Sequence, residues 1–123
     1  MAEADKDLVK GHRNRLRERF LKGGADALAD YELLELILFL AIPRRDVKPL
    51  AKQLIAQFGS YAAVLSADVS RLAAFPGLGD TAVAAIKTVQ ASALHLARTE
   101  VKDRPILSNW AAVAMKARSA SVR

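Results

Sequence analysis

Two glycines flanking a leucine, in the run Phe75-Pro76-Gly77-Leu78-Gly79, are the residues of this 123-residue chain best suited to holding a phosphate. The run opens at once onto Asp80-Thr81-Ala82-Val83-Ala84-Ala85-Ile86, which reads as the start of a helix. A Pro-Gly-apolar-Gly turn leading into a helix leaves unpaired backbone N–H groups where an anion can reach them. Gly77 and Gly79 can take positive φ and carry no Cβ, so a phosphate can approach the main chain closely. Leu78 is expected to tuck back between the two helices that the turn joins. This is the pattern of a helix-hairpin-helix, which grips nucleic-acid backbone without reading sequence. The plain alternative is a tight interhelical turn with no ligand. Thr81 adds a hydroxyl donor, and hairpin carbonyls of this kind can hold a K⁺ or Na⁺ ion that bridges to the phosphate. Asp80 works against the grip, and its simplest role is to stabilise the helix start through the dipole.

Cations must then supply most of the binding free energy. Arg44, Arg45 and Lys48 lie around a second turn, Ile42-Pro43-Arg44-Arg45-Asp46, and form the best second contact. Residues 10–24 hold Lys10, Arg13, Arg15, Arg17, Arg19 and Lys22 against Glu18 alone, within a net charge of +6. Such an excess attracts polyanions; its plain alternative is a solvated helix face. Successive odd positions on a helix stand ~200° apart, so at most about half of that cluster can meet a backbone together. Arg13 and Arg15 are carried forward as candidate contacts. Neutralising several phosphates this way predicts micromolar or weaker binding, independent of sequence and steeply dependent on salt. Tyr31, Tyr61 and Trp110 are scattered and make no base-stacking platform.

Catalytic chemistry finds little to use. Cysteine is absent, which removes disulfides and thiolate metal sites and makes the cytoplasm the expected compartment. The two histidines, His12 and His95, are far apart in sequence, so no His-x-His pair is available for zinc. His12 reads as a helix-start residue and His95 as a partly exposed side chain. Glu32 and Glu35 flank an apolar helix, with no second cluster facing them for acid–base work. No catalytic residue, resident metal, cofactor or small-molecule substrate is expected. The longest apolar stretch, residues 36–42, is far too short to cross a membrane, and the N-terminus lacks a signal-peptide pattern.

The elements that position these residues read as helices throughout. The apolar fraction is high, supplied mainly by Ala and Leu, with few aromatic residues. A first helix spans about residues 11–22, with Leu16, Phe20 and Leu21 inward, and Gly23-Gly24 ends it. Asp30 caps a second helix, apolar on nearly all faces and therefore buried, which Pro43 stops. Asp46 caps a third, with Pro49 in its first turn and Gly59 at its end. Ser60 and Asp68 cap two short helices. A long helix from Asp80 to about Val101 places Val83, Ile86, Leu94, Ala97 and Val101 on one stripe. The fold class is thus all-α, a compact bundle of about five to seven helices built on a helix-hairpin-helix. That unit is pseudo-duplicated: Ile42-Pro43-Arg44-Arg45 with Ala51 and Leu54 matches Phe75-Pro76-Gly77 with Val83 and Ile86, once one residue of turn length is allowed. The expected organisation is a disordered N-terminus over 1–9, the helical domain over 10–102 and a linker over 103–123 leading into a missing C-terminal domain. Trp110 falls in that linker.

Several segments resemble the RadC family. They are Gly11-His12-Arg13 with Arg15-Leu16-Arg17, Ala29-Asp30-Tyr31-Glu32-Leu33-Leu34-Glu35-Leu36, and Ala41-Ile42-Pro43-Arg44-Arg45-Asp46-Val47-Lys48-Pro49. Phe58-Gly59-Ser60, the Pro76-Gly77-Leu78-Gly79 turn and Arg104-Pro105-Ile106-Leu107-Ser108 complete the match, which covers about residues 8–109. The resemblance implies an N-terminal helix-hairpin-helix domain and an association with DNA repair. It also implies a second, JAB/MPN metallopeptidase-like domain with a His-x-His-Pro…Asp zinc signature, before which this sequence stops. The expected function is therefore a DNA-backbone-binding module without enzymatic activity. The alternative is a protein-interaction module that docks the second domain, a repair partner or a second copy of itself.

Overall fold

Glycine and proline set most of the helix boundaries. The structure, a computed structural model, describes residues 3–102. Its α-helices are α1 (Glu3–Gly23), α2 (Asp30–Ala41), α3 (Lys48–Phe58), α4 (Tyr61–Ser66), α5 (Val69–Ala73) and α6 (Asp80–Lys102), with a short 3₁₀ turn at Ala25–Ala27. No strand occurs among the described residues. The expected linker over 103–123, with Trp110, lies outside them.

The local chemistry explains each start and stop. Gly24 and Gly59 follow α1 and α3 at φ 73° and 107°, a region open to glycine without a Cβ penalty. The Asp46 carboxylate accepts from the Lys48 N–H at 3.1 Å and Pro49 occupies the first turn of α3. Ser60 Oγ accepts from the Ala63 N–H at 3.0 Å and opens α4. Asp30 is the first residue of α2 and Ala29 its cap; Glu32 reaches back to accept from the Ala29 N–H at 3.0 Å. Asp68 precedes α5 without a side-chain cap bond.

The helix α1 begins at Glu3, eight residues before the start at Gly11 expected from sequence. Asp5 and Asp7 suit the positive end of the helix dipole, and the interior Gly11 costs only about 1 kcal/mol. One such residue does not interrupt a helix of 21 residues.

One body of the chain extends to Gln90. Its core joins Leu34 and Leu38 of α2, Leu50 and Leu54 of α3, Val64 of α4, Leu72 of α5, and Val83 and Ile86 of α6. Burying a leucine-sized side chain contributes about 1.5–3 kcal/mol, so these positions dominate the stability. The helix α2 is not buried all round: Leu40 is 80% exposed, while Glu35 is fully buried. A helix flanked by α1, α3 and α4 still has one open face, and Leu40 falls on it. Leu21, read as inward, is 80% exposed near the end of α1.

From Ala91 onward α6 belongs to a second body. There Leu94 and Val101, expected on the core stripe, are exposed, and so is Leu96. Leu94, Ala97, Arg98 and Val101 line an open depression of about 330 Å³ along this part of the helix.

Candidate nucleic-acid interface

The two turns singled out by sequence meet. A Cβ built on Gly77 would lie 3.6 Å from Arg45 Nη2 and 3.6 Å from Leu50 Cδ1. Arg45 and the first turn of α3 therefore stand against the glycine turn that opens α6. The resulting face combines two helix N-termini, whose partial positive charge favours anions, with the exposed side chains of Arg44 and Arg45.

The turns also share a backbone design. In residues 75–78, Pro76 precedes Gly77 at φ 92°, and the Leu78 N–H closes the turn on the Phe75 carbonyl at 3.1 Å. Proline followed by a residue of positive φ is the pattern of a type II turn. In residues 42–45, Pro43 precedes Arg44 at φ 63°, the only non-glycine residue at positive φ among those described. The sequence repeat thus carries a positive φ at the residue after each proline, with arginine standing where the other copy has glycine. A buried apolar residue follows each turn, Leu78 two residues after Pro76 and Val47 four residues after Pro43.

Gly79 differs from expectation. It has no positive φ, and a Cβ there would meet nothing within 4 Å. Its carbonyl accepts from the Val83 N–H at 3.0 Å and starts α6. Thr81 and Asp80 are exposed in the first turn of that helix. Lys48 is half-buried, with its Nζ 5.8 Å from the centre of the Tyr31 ring, and Lys52 Nζ lies 4.8 Å from the same ring. Tyr31 is therefore covered by two ammonium groups.

Arg13 does not stand at the surface. It is 8% exposed, its guanidinium lies 4.5 Å from the centre of the Phe39 ring, and Nη2 donates to the carbonyls of Ile42 at 2.5 Å and Arg45 at 2.7 Å. Nη1 reaches the Phe39 carbonyl at 3.5 Å. The end of α2 leaves carbonyls without helical partners, and a buried cation satisfies them. Burial, reinforced by nearby Arg17, holds this guanidinium below the usual arginine range, while Asp46 and Glu35 oppose the shift. Arg13 is thus removed from the candidate contacts by desolvation. Arg15 is exposed and folds back along α1, its Nη1 3.0 Å from where a Cβ on Gly11 would stand. It points away from Arg13, as the ~200° separation of odd positions requires.

The basic excess of α1 is also partly neutralised from within. Arg19 pairs with Glu32 at 2.9 Å, which holds the Glu32 carboxyl below its ordinary range, and Lys22 pairs with Glu18 at 2.8 Å. Arg17 donates to Asn14.

Three further groups were not legible as a site. His12 Nε2 lies 2.9 Å from Oε1 of the buried Glu35, whose Oε2 has no partner. The His12 ring meets Phe39 edge-on and lines a cavity of about 150 Å³ with Leu8, Val9, Asp46 and Lys48. The separation of 23 residues between His12 and Glu35 hid the pair from local pattern reading. Lys87 Nζ donates to the carbonyls of Leu65 at 3.1 Å and Ala67 at 2.8 Å, closing the end of α4. Arg71 lies 4.7 Å over Phe58, which packs on Phe75 at the base of the glycine turn. No group of three or more His, Cys, Asp or Glu able to hold a metal occurs among the described residues. No helix among them is long and apolar enough to cross a membrane.

Comparison with known proteins places this arrangement. Residues 10–84 match the family model described as UPF0758 N-terminal. A UPF0758 protein of Ruegeria pomeroyi is 51% identical over 105 residues, covering 85% of this chain and 47% of that protein. A UPF0758 protein of Rhodobacter capsulatus is 56% identical over 98 residues, covering 80% of this chain and 46% of that protein. No solved structure matches the chain. The chain spans about half the length of these curated relatives, and the family match runs from within α1 to the first turn of α6, with both proline turns. On that match the chain belongs to the UPF0758 family, through the family's N-terminal domain.

Proposed function

We propose that this domain binds the sugar–phosphate backbone of DNA without reading sequence. The observation that carries the reading is the apposition of Arg45 and the α3 start with Gly77. It brings two proline turns, two helix N-termini and two exposed arginines to one face, a combination suited to adjacent phosphates. The resemblance to the RadC family supports a role associated with DNA repair. Asp46 and Asp80 share that face with Arg44, Arg45 and Lys48, so the local positive excess is small. Engagement of two or three phosphates corresponds to a slope of log K against log salt of roughly −2 to −3, and to weak binding.

A second reading draws on the exposed Leu94, Leu96 and Val101 of α6 and on the greater length of the relatives. In it, the domain docks a further domain, metallopeptidase-like on the RadC resemblance, or a second copy of the chain. Fluorescence anisotropy with duplex, branched and single-stranded DNA over a salt series separates the two. Backbone binding gives an inverse salt slope that Arg44→Ala and Arg45→Ala each reduce by about one. Absence of binding at low salt rejects it and favours docking.

A further inference from the structure

The two proline turns are closed in different ways, and the difference assigns a task to Arg13. In the glycine turn a main-chain hydrogen bond from Leu78 to Phe75 fixes the geometry. No main-chain hydrogen bond joins Arg45 to Ile42. Arg13 Nη2 instead donates to both the Ile42 and the Arg45 carbonyl, the residues at the two ends of the turn. Both carbonyls must face one nitrogen, so the chain has to reverse between them, with Arg44 turning over at φ 63°. A non-glycine residue holds that conformation only where its surroundings over-determine it. The surroundings here are a planar cation, itself buried and stacked on Phe39.

Resting on the DNA reading, we propose that Arg13 is the positioning residue of the interface. It touches no phosphate, and it holds residues 42–45 in the shape that presents Arg44 and Arg45 beside Gly77. Arginine is required there because one side chain must donate in a fixed plane to several carbonyls while its face packs on a ring. A lysine ammonium can serve two carbonyls, as Lys87 does at the end of α4, but it is set on a shorter side chain and has no planar face to lie on Phe39. The apparent dissociation constant of a face that is competent only part of the time rises as the inverse of the competent fraction. Release of the turn to a competent fraction of about a tenth therefore weakens binding about tenfold.

The test compares Arg13→Lys and Arg13→Ala in the full chain with Arg45→Ala and with the core variant Ile86→Val. Backbone chemical shifts of residues 42–46 report the Arg44 conformation without any ligand. A 20-base-pair duplex of arbitrary sequence, titrated over a salt series well below the melting temperature, reports affinity. The expected result for Arg13→Lys is loss of the left-handed signature at Arg44 and about tenfold weaker binding, with the parent's salt slope. Arg45→Ala lowers the slope by about one, and Ile86→Val leaves shifts and binding as in the parent. Should Arg13→Ala fail to fold, Arg13→Lys decides alone, since it keeps charge and most of the volume.

Parent-like shifts and affinity in Arg13→Lys overturn the proposal. A salt slope lowered by about one in Arg13→Ala but not in Arg13→Lys also overturns it, because Arg13 would then be a direct phosphate contact. A parent protein that ignores DNA at low salt overturns the binding reading and the affinity half of the proposal together. The Arg44 shifts of Arg13→Lys then still decide whether Arg13 holds the turn.

Discussion

The matched turns make opposite predictions for glycine at one position and alanine at the other. Arg44 at φ 63° and Gly77 at φ 92° both lie in the left-handed region. A residue with a Cβ is disfavoured there by roughly 1–2 kcal/mol. Glycine carries the reverse penalty in the unfolded chain, about 0.4–1 kcal/mol relative to alanine. Arg44→Gly relieves the first and adds the second, for a net stabilisation of about 0.5–1 kcal/mol. Its side chain is exposed, so little packing is lost. Gly77→Ala runs the other way by a similar amount; the new Cβ would sit at 3.6 Å from its neighbours, an ordinary contact that adds no clash. For a domain of this size the shifts in melting temperature are about 2–8 °C, upward for Arg44→Gly and downward for Gly77→Ala. Circular-dichroism melts of both variants check the signs, and anisotropy on the same samples checks binding. Arg44→Gly should stabilise the fold while it weakens DNA binding, because it removes a cation from the face. A lowered melting temperature for Arg44→Gly, or shifts of the same sign in both variants, refutes the strain argument and the equivalence of the turns.

His12→Ala leaves the fully buried Glu35 carboxylate without its partner and is expected to lower stability by about 2 kcal/mol in urea titrations. This is less than for a wholly buried pair because His12 is partly exposed. Adding Glu35→Met to His12→Ala removes the orphaned buried carboxyl group and should restore most of the loss. Arg19→Ala tests the Glu32 pair by pH. The hydrogen bond from Arg19 depresses the folded-state carboxyl below its ordinary 4.5, so the pair stabilises the fold above that value and the contribution disappears as pH falls through the depressed one. Melts should therefore show a gap between parent and Arg19→Ala at neutral pH that closes below about pH 4.5. Lys87→Met leaves the Leu65 and Ala67 carbonyls without their donor and should cost about 1–2 kcal/mol, measured by urea denaturation.

Features written in adjacent residues were legible before any coordinates. Gly23-Gly24, Gly59, Ser60 and the two prolines act within one helical turn of themselves, so helix number and most ends could be read directly. Leu78 was placed correctly because a hairpin this tight leaves its apolar residue no other direction. The site was less legible because its decisive contacts span the chain. Arg13 read as a surface cation because its partners are carbonyls, which every residue carries, and no residue type announces them. The carbonyls lie 26 to 32 residues away. Arg44 in the left-handed region was invisible for a related reason: the guanidinium that holds it belongs to another helix. Glu35 was read as flanking because a carboxylate within an apolar run ordinarily marks the outer face. Only the pairing with His12 makes its burial tolerable.

The attachment of α1 has a consequence for how the domain comes apart. Among the described residues Leu16 is its only apolar side chain that is fully buried, and it stands outside the main apolar cluster. Its side-chain hydrogen bonds to the rest of the fold come from Arg13 to carbonyls, His12 to Glu35 and Arg19 to Glu32, with Phe39 lying against His12 and Arg13. A segment held this way can open on its own, at a lower free energy than the cooperative melting of the core. Amide hydrogens of α1 should accordingly exchange through local opening, ahead of those in α2 and α3. The helix that carries Arg13 is then also the first foldon to leave, and the proposed interface is lost with it while the core around Leu38, Leu54 and Ile86 remains intact.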